Sequence, residues 1–272
     1  MASTGCGPGR RRVRDAEWLA SAAQLGHSGC CGRRSERVRD LRGSEMAQPL
    51  EVQSVCVVPA GTYWVGSDSL PNAGPRHVRR FAKDVWLDRS LVTWSAYEAF
   101  VVAGGYADAS WWQVDPSHQC PAEARPASVD ARCEMIREMT LSGAAGVHAE
   151  HRSVFPVLGL NWFEAMALCR FFGARLPFET EWEVAAVSNR FQQDGGTAKC
   201  THQEWCLDAY ARQYWRADAD VRGRPWRPAS FVTIRGHTAE EPAIGPCARR
   251  GADPCLGAAG RGFRRVWDRA PV

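Results

Sequence analysis

Residues 155–187 read F-P-V-L-G-L-N-W-F-E-A-M-A-L-C-R-F-F-G-A-R-L-P-F-E-T-E-W-E-V-A-A-V. Asn161 is followed three residues later by Glu164, an N-cap paired with a reciprocal acceptor, so a helix starts there. Trp162, Ala165, Cys169 and Phe172 then recur on one helical face, and Gly173 supplies the left-handed stop. A further helix follows, with Pro177 at or before its first turn and Glu179, Glu181 and Glu183 crowding the positive end of its dipole.

Upstream, V-Q-S-V-C-V-V-P-A-G-T-Y-W-V-G-S-D from Val52 reads as two short strands joined at a Pro59-Ala60-Gly61 turn. A strand-like run, F-A-K-D-V-W-L-D, occupies 81–88. A first helix opens at Thr93, repeats Trp94, Tyr97, Phe100 and Val101 at helical spacing, and ends at Gly104-Gly105. Residues 105–153 are rich in Gly, Pro, Ser and Asp and read as a long loop with a short helix near Met135. Beyond Asn189 the chain reads as loop, with strand candidates around 204–207, 231–234 and 262–267.

With 272 residues, 45% of them hydrophobic and 24% charged, the chain can bury one substantial core. Its 12 tryptophans suit a loop-rich fold, because each large aromatic removes much area from water where regular structure is sparse. The 11 cysteines include no C-x-x-C pair, which fits reduced thiols in a cytoplasmic protein better than a disulfide framework. No apolar run is long enough to cross a bilayer, and a net charge of +4 is modest, so neither a membrane nor a nucleic acid is an expected partner.

Residues 1–49 carry Arg10-Arg11-Arg12 and Arg33-Arg34 with few apolar side chains, and are expected to form a basic, disordered extension. The competing reading is an organelle-targeting peptide, against which stand Asp15, Glu17, Glu36, Asp40 and Glu45. Met46 lies just before the first strand and offers a second translation start. The organisation expected is an extension over 1–49, a folded domain over 50–268 and a tail over 269–272.

In order along the chain, V-V-P-A-G-T-Y-W-V-G-S-D, L-D-R-S-L-V-T-W-S-A-Y-E-A-F-V, G-G-Y, F-P-V-L-G-L-N-W-F-E-A, G-A-R-L-P-F-E-T-E-W-E-V-A-A, E-W-C-L-D-A-Y, I-R-G and R-G-F-R-R-V-W-D resemble the signature blocks of the formylglycine-generating-enzyme, or sulfatase-modifying-factor, family. The resemblance implies an α+β class: a compact C-type-lectin-like fold with short strands, about three helices and much ordered loop. It further implies that Trp162 and Trp182 pack the core, that Arg175 and Glu183 tie helix starts to loops, and that Gly262-Phe263-Arg264 closes the last strand.

Family members that make formylglycine use two cysteines spaced C-x-x-x-x-C after an R-G-G-S-type strand, since paired thiolates form a soft site for Cu(I). The matching stretch here is I-R-G-H-T-A-E-E-P-A-I-G-P-C-A-R-R-G, with no thiol between Arg235 and Pro246. Cys247 beside Arg249 and Arg250, and Cys255 beyond it, are the catalytic candidates. The basic neighbours are expected to favour a Cys247 thiolate, and the preferred alternative for both residues is an apolar filler. The family's calcium-bearing loops are shortened, and only Glu204 and Trp205 match its G-N-x-W-E-W block, so calcium is not expected and copper is disfavoured. Phe178 stands where relatives place a helix-capping threonine, and Thr180 is expected to shift the helix start by two residues.

Cys200, His202 and Cys206 form a C-x-H-x-x-x-C cluster suited to zinc if a fourth ligand comes from elsewhere, with packing the preferred role. His118, His148, Glu150 and His151 are weaker metal candidates. Arg249, Arg250, Arg261, Arg264 and Arg265 are expected to form a solvated basic face, or one that meets an anionic ligand or acidic partner. The function expected is that of a divergent family member, an oxidase relative in a modification or biosynthetic pathway that does not use the two-cysteine copper site. The alternative is a non-catalytic module, a pseudoenzyme that binds a peptide, a small molecule or a protein partner.

Overall fold

Asn161 caps its helix as the sequence predicts: its side chain accepts from Glu164 N and the Glu164 carboxylate accepts from Asn161 N, at 2.9 and 2.8 Å. The structure is a computed structural model and describes residues 54–70, 72–115, 118–143, 155–191, 202–212, 227–228, 230–237 and 245–271. The extension over 1–49, Cys200, His148, Glu150 and His151 lie outside the described residues.

The fold is mixed α+β, with short strands and several helices. Its described helices are α1 (Trp94–Val102), α2 (Val129–Gly143), α3 (Trp162–Phe171) and α4 (Glu179–Val187). Three of them are the expected helices, and α2 is the short helix read near Met135, longer than expected. The region read as a long loop contains α2, with 15 residues, preceded by 3-10 turns at Ala109–Trp112 and Ala122–Ala124 and a small β5–β6 pair (Gln113–Asp115, His118–Gln119).

Strands β1 (Val55–Val58), β4 (Val85–Asp88) and β11 (Val266–Trp267) form one sheet in the order β1-β4-β11. A second sheet has the order β10-β7-β8-β9, from β7 (Gln203–Ala209), β8 (Val232–Gly236), β9 (Arg249–Ala252) and β10 (Arg261–Gly262). Here β10 runs parallel to β7 and the other pairings are antiparallel. Strands β2 (Gly61–Val65) and β3 (His77–Phe81) make a separate two-stranded ribbon. The strands on either side of Pro59-Ala60-Gly61 are therefore both present but do not pair with each other: β1 joins β4 and β2 joins β3.

Side chains alternate along these strands, and the alternation divides the interior. Val65, Phe81, Leu87, Val184 and Val266 belong to a smaller cluster under α4. Trp162, Trp205, Val232, Ile234 and Phe263 belong to the main core, which extends to Tyr97, Phe100, Tyr106 and Trp112. Trp162 and Trp205 fill it with rings and satisfy their N–H groups on the Cys206 and Leu160 carbonyls, at 2.8 and 2.9 Å. Opposite Thr233, β7 bulges: Trp205 pairs with Ile234 and Ala209 with Val232, so 206–208 face a single residue.

Two features fix the loops around this core. Gly159 has φ +88°, and a Cβ on Gly257 would collide with the Gly159 carbonyl, so two main chains touch there with no side chain between them. Helix α2 is bound to α3 by Arg132, which donates to both oxygens of the buried Glu164 at 2.7 and 2.5 Å, while Tyr106 Oη donates to the same carboxylate at 2.8 Å.

Candidate functional site

The N-terminus of α4 is where the sequence departs from the expected cap. Phe178 is the N-cap residue and has no acceptor, so the orphan amides find carboxylates elsewhere: Phe178 N donates to Glu181 at 2.8 Å and Glu179 N to Asp208 of β7 at 2.5 Å. The helix thus starts at Glu179, and the expected two-residue shift to Thr180 does not occur. Arg175 grips Glu181 through two 2.7 Å bonds, reaches Asp268 at 2.7 Å, and lies 4.8 Å from the Phe178 ring centroid. This is the helix-start tie that the resemblance implies for Arg175.

Glu179 and Glu183, one turn apart on α4, face the arginines of β8 and β9. Arg249 holds both Glu179 oxygens at 2.7 Å. Arg235 Nη2 lies 2.9 Å from Glu183 Oε2 and 3.3 Å from Glu179 Oε2. Glu183 Oε1 accepts from Gly66 N at 2.6 Å, which ties α4 to the loop after β2. That loop is clasped to β9 from both sides: Asn72 Nδ2 donates to the Arg249 carbonyl, and Arg249 Nη1 donates to the Asn72 carbonyl at 3.0 Å. Arg235 and Arg249 have no exposed side-chain surface. Charges so deeply buried persist only because each is matched by charge-assisted bonds.

Cys247 sits at the edge of this cluster, half-buried. Burial, then the charge and hydrogen-bonding oxygen of Glu183, push its thiol up to about 11, against the opposing pull of Arg235 and Arg76. The expected Cys247 thiolate is therefore corrected: Arg235 and Arg249 are matched by Glu179 and Glu183, and the thiol meets Glu183 directly. Cys255 stands in other surroundings, its amide on Asp253 Oδ1 at 2.9 Å and its thiol raised by burial and the Asp253 and Glu123 charges.

The zinc candidates divide as well. Cys206 is fully buried in β7, where burial holds its thiol well above the usual range. His202 directs its backbone carbonyl at Gly236, which has φ +76° and where a Cβ would strike that oxygen. All seven described cysteines are free thiols, and no group of three or more His, Cys, Asp or Glu among the described residues is arranged to hold a metal ion. Glu204, one of the two matches to the family's calcium-loop block, is taken up by Arg264 at 2.9 and 3.1 Å.

The expected basic face is also corrected. Arg249, Arg264 and Arg265 are at most 4% exposed and point inward, onto Glu179, Glu204 and Asp88 respectively. Arg261 stacks 4.4 Å from the Trp205 ring centroid. Arginines in alternating strands look like a solvated surface in sequence; here the facing strands and α4 carry the carboxylates.

Sequence reading missed Asp208, Asn72 and the role of Arg235. The signal was present as single charges within apolar strands, Asp208 in Q-E-W-C-L-D-A and Arg235 in V-T-I-R-G. Asp208 is fully buried; burial and the adjoining Glu179 charge hold its carboxyl well above the ordinary range. The donor set does not fit a Cu(I) centre: it offers one protonated thiol beside a carboxylate, and the sequence from Arg235 to Pro246 contains no second one.

A family model described as a sulfatase-modifying factor enzyme 1-like domain matches residues 42–217. Formylglycine-generating enzyme of Mus musculus is 28% identical over 200 residues, covering 67% of this chain and 50% of that protein. Its counterpart from Thermomonospora curvata is 31% identical over 154 residues, 51% of this chain and 50% of the relative. The chain thus spans about half the length of these curated relatives. Among solved structures, PvdO from Pseudomonas aeruginosa shares the fold with a TM-score of 0.55 at 19% identity, over 79% of this chain and 94% of that one. With its capped helices, buried tryptophans and matching blocks, the chain belongs to the sulfatase-modifying factor enzyme 1-like family, as a divergent member without the family's catalytic cysteine pair.

Proposed function

We propose that this domain works by binding a peptide, a small molecule or a protein partner on a lectin-like scaffold, and not by two-cysteine copper chemistry. The observation that carries this reading is the missing second thiol beside Cys247, which instead borders a carboxylate–arginine cluster. Its thiol is protonated at neutral pH and engaged with Glu183, itself bonded to Gly66 N and Arg235. A copper centre of the family's type needs two thiolates, and the stretch from Arg235 to Pro246 supplies no partner for Cys247.

The test is to load the full chain with Cu(I), add cysteine-containing peptides, and track oxygen uptake together with aldehyde formation by hydrazide labelling. No copper-dependent uptake and no aldehyde are expected, and Cys247→Ser should leave the fold and ligand binding unchanged. An aldehyde product that disappears in Cys247→Ser, with the fold intact, would overturn the reading.

A further inference from the structure

The outer face of the β2–β3 ribbon carries a combination that the fold itself does not use. Val65 and Phe81 point inward to the smaller core cluster, which leaves the alternate residues outside. Trp64 and Val78 are register partners there, 59% and 45% exposed. The Arg76 guanidinium stands 5.1 Å from the Trp64 ring centroid, and exposed Arg80 pairs in register with Thr62. Among the described residues no carboxylate meets the guanidinium of Arg76 or of Arg80; Arg76 donates its backbone N–H to Asp68 Oδ1 at 2.7 Å. Single exposed apolar side chains need no explanation, but tryptophan and arginine together, around an apolar centre, are the residues that dominate binding surfaces.

We propose that this face docks an extended acidic segment of a partner protein, seating one apolar side chain on Trp64 and Val78 between two carboxylates that meet Arg76 and Arg80. The spacing sets the pattern. Val78 and Arg80 share one side of β3, and Arg76, just before its first residue, reaches the same side over Trp64, so the two guanidinium-bearing positions lie about 13 Å apart at roughly 3.3 Å per residue. A partner in the same extended conformation presents acidic, apolar and acidic side chains at positions i, i+2 and i+4, in step with that row. A single-stranded nucleic acid would find one stacking ring at Trp64, but at Val78 only an aliphatic neighbour, which favours an apolar side chain over a second base. The inference goes beyond the function proposed above and does not use Cys247 or its carboxylate cluster; a copper-dependent oxidase could carry the same surface.

The experiment titrates a fluorescein-labelled peptide, G-S-E-S-L-S-E-S-G, with the full chain at about 50 mM salt and reads anisotropy. Saturable binding is expected, weakened about tenfold or more by Trp64→Ala and by Arg80→Glu, with circular dichroism unchanged because both residues are exposed. In the double variant Arg76→Glu, Arg80→Glu the preference should move to the peptide in which lysines replace both glutamates. The proposal is overturned by no binding, by equal binding of the lysine peptide to the unaltered chain, by tighter binding of an oligo-dT strand, or by a dimer that Trp64→Ala dissolves.

Discussion

Replacing Arg249 by methionine removes the guanidinium that holds both oxygens of Glu179 and leaves that carboxylate buried with only the longer Arg235 contact. Breaking one side of a buried pair costs about 3–5 kcal/mol, which a urea-unfolding midpoint will register. Asp208 behaves oppositely. Its folded pKa lies above the unfolded value of about 3.9, so its contribution to stability is full below that pH and lost as pH rises through the folded value. Asp208→Asn keeps an acceptor for Glu179 N; the variant should match or exceed the parent at pH 7 and show a flatter stability profile from about pH 4 upward. Urea titrations across that range check the sign. For Cys247, alkylation followed by mass spectrometry should speed up about tenfold per pH unit between pH 7 and 10 without levelling, because the thiol titrates at about 11. A plateau near pH 8 would contradict the Glu183 contact.

Helix α2 gives the next test. Among its described side chains only Ile136 and Thr140 are buried, and Arg132 ties it to the buried Glu164, so Arg132→Ala should loosen α2 without unfolding the domain. Hydrogen exchange ought to accelerate over Val129–Gly143 and remain slow in α3. The same thin apolar stripe explains why only a short helix near Met135 was legible where α2 runs for 15 residues: with few buried side chains it shows little of the periodicity that marks a helix's length. By contrast, α3 was legible because Asn161, Glu164 and Gly173 mark both of its ends within its own sequence. The partners of β1 and β2 were not, since pairing is decided by residues 27–33 positions away in β4 and 12–20 positions away in β3 rather than at the Pro59-Ala60-Gly61 turn. At the site, the arginines could be seen but their direction could not. Every residue of β8 is buried, so its alternation carries no polar face to show which side meets solvent.

Across the whole molecule, the ion pairs that join α4 to β8 and β9, Glu204 to Arg264 and Asp88 to Arg265 have side chains no more than 6% exposed. Mobile ions screen exposed charges far more than buried ones, so the urea midpoint should change little between low and high sodium chloride concentrations. Loss of several tenths of the unfolding free energy over that range would mean the pairs are open to solvent. The contact of Gly159 with Gly257 acts at the same scale. Since nothing but main chain lies in that seam, even a single methyl group would act as a wedge, prying the segment that carries Leu160 away from the indole it anchors in Trp205. Damage there would emerge as a poorly assembled protein instead of an altered specificity, and screens that score only ligand binding would misread it.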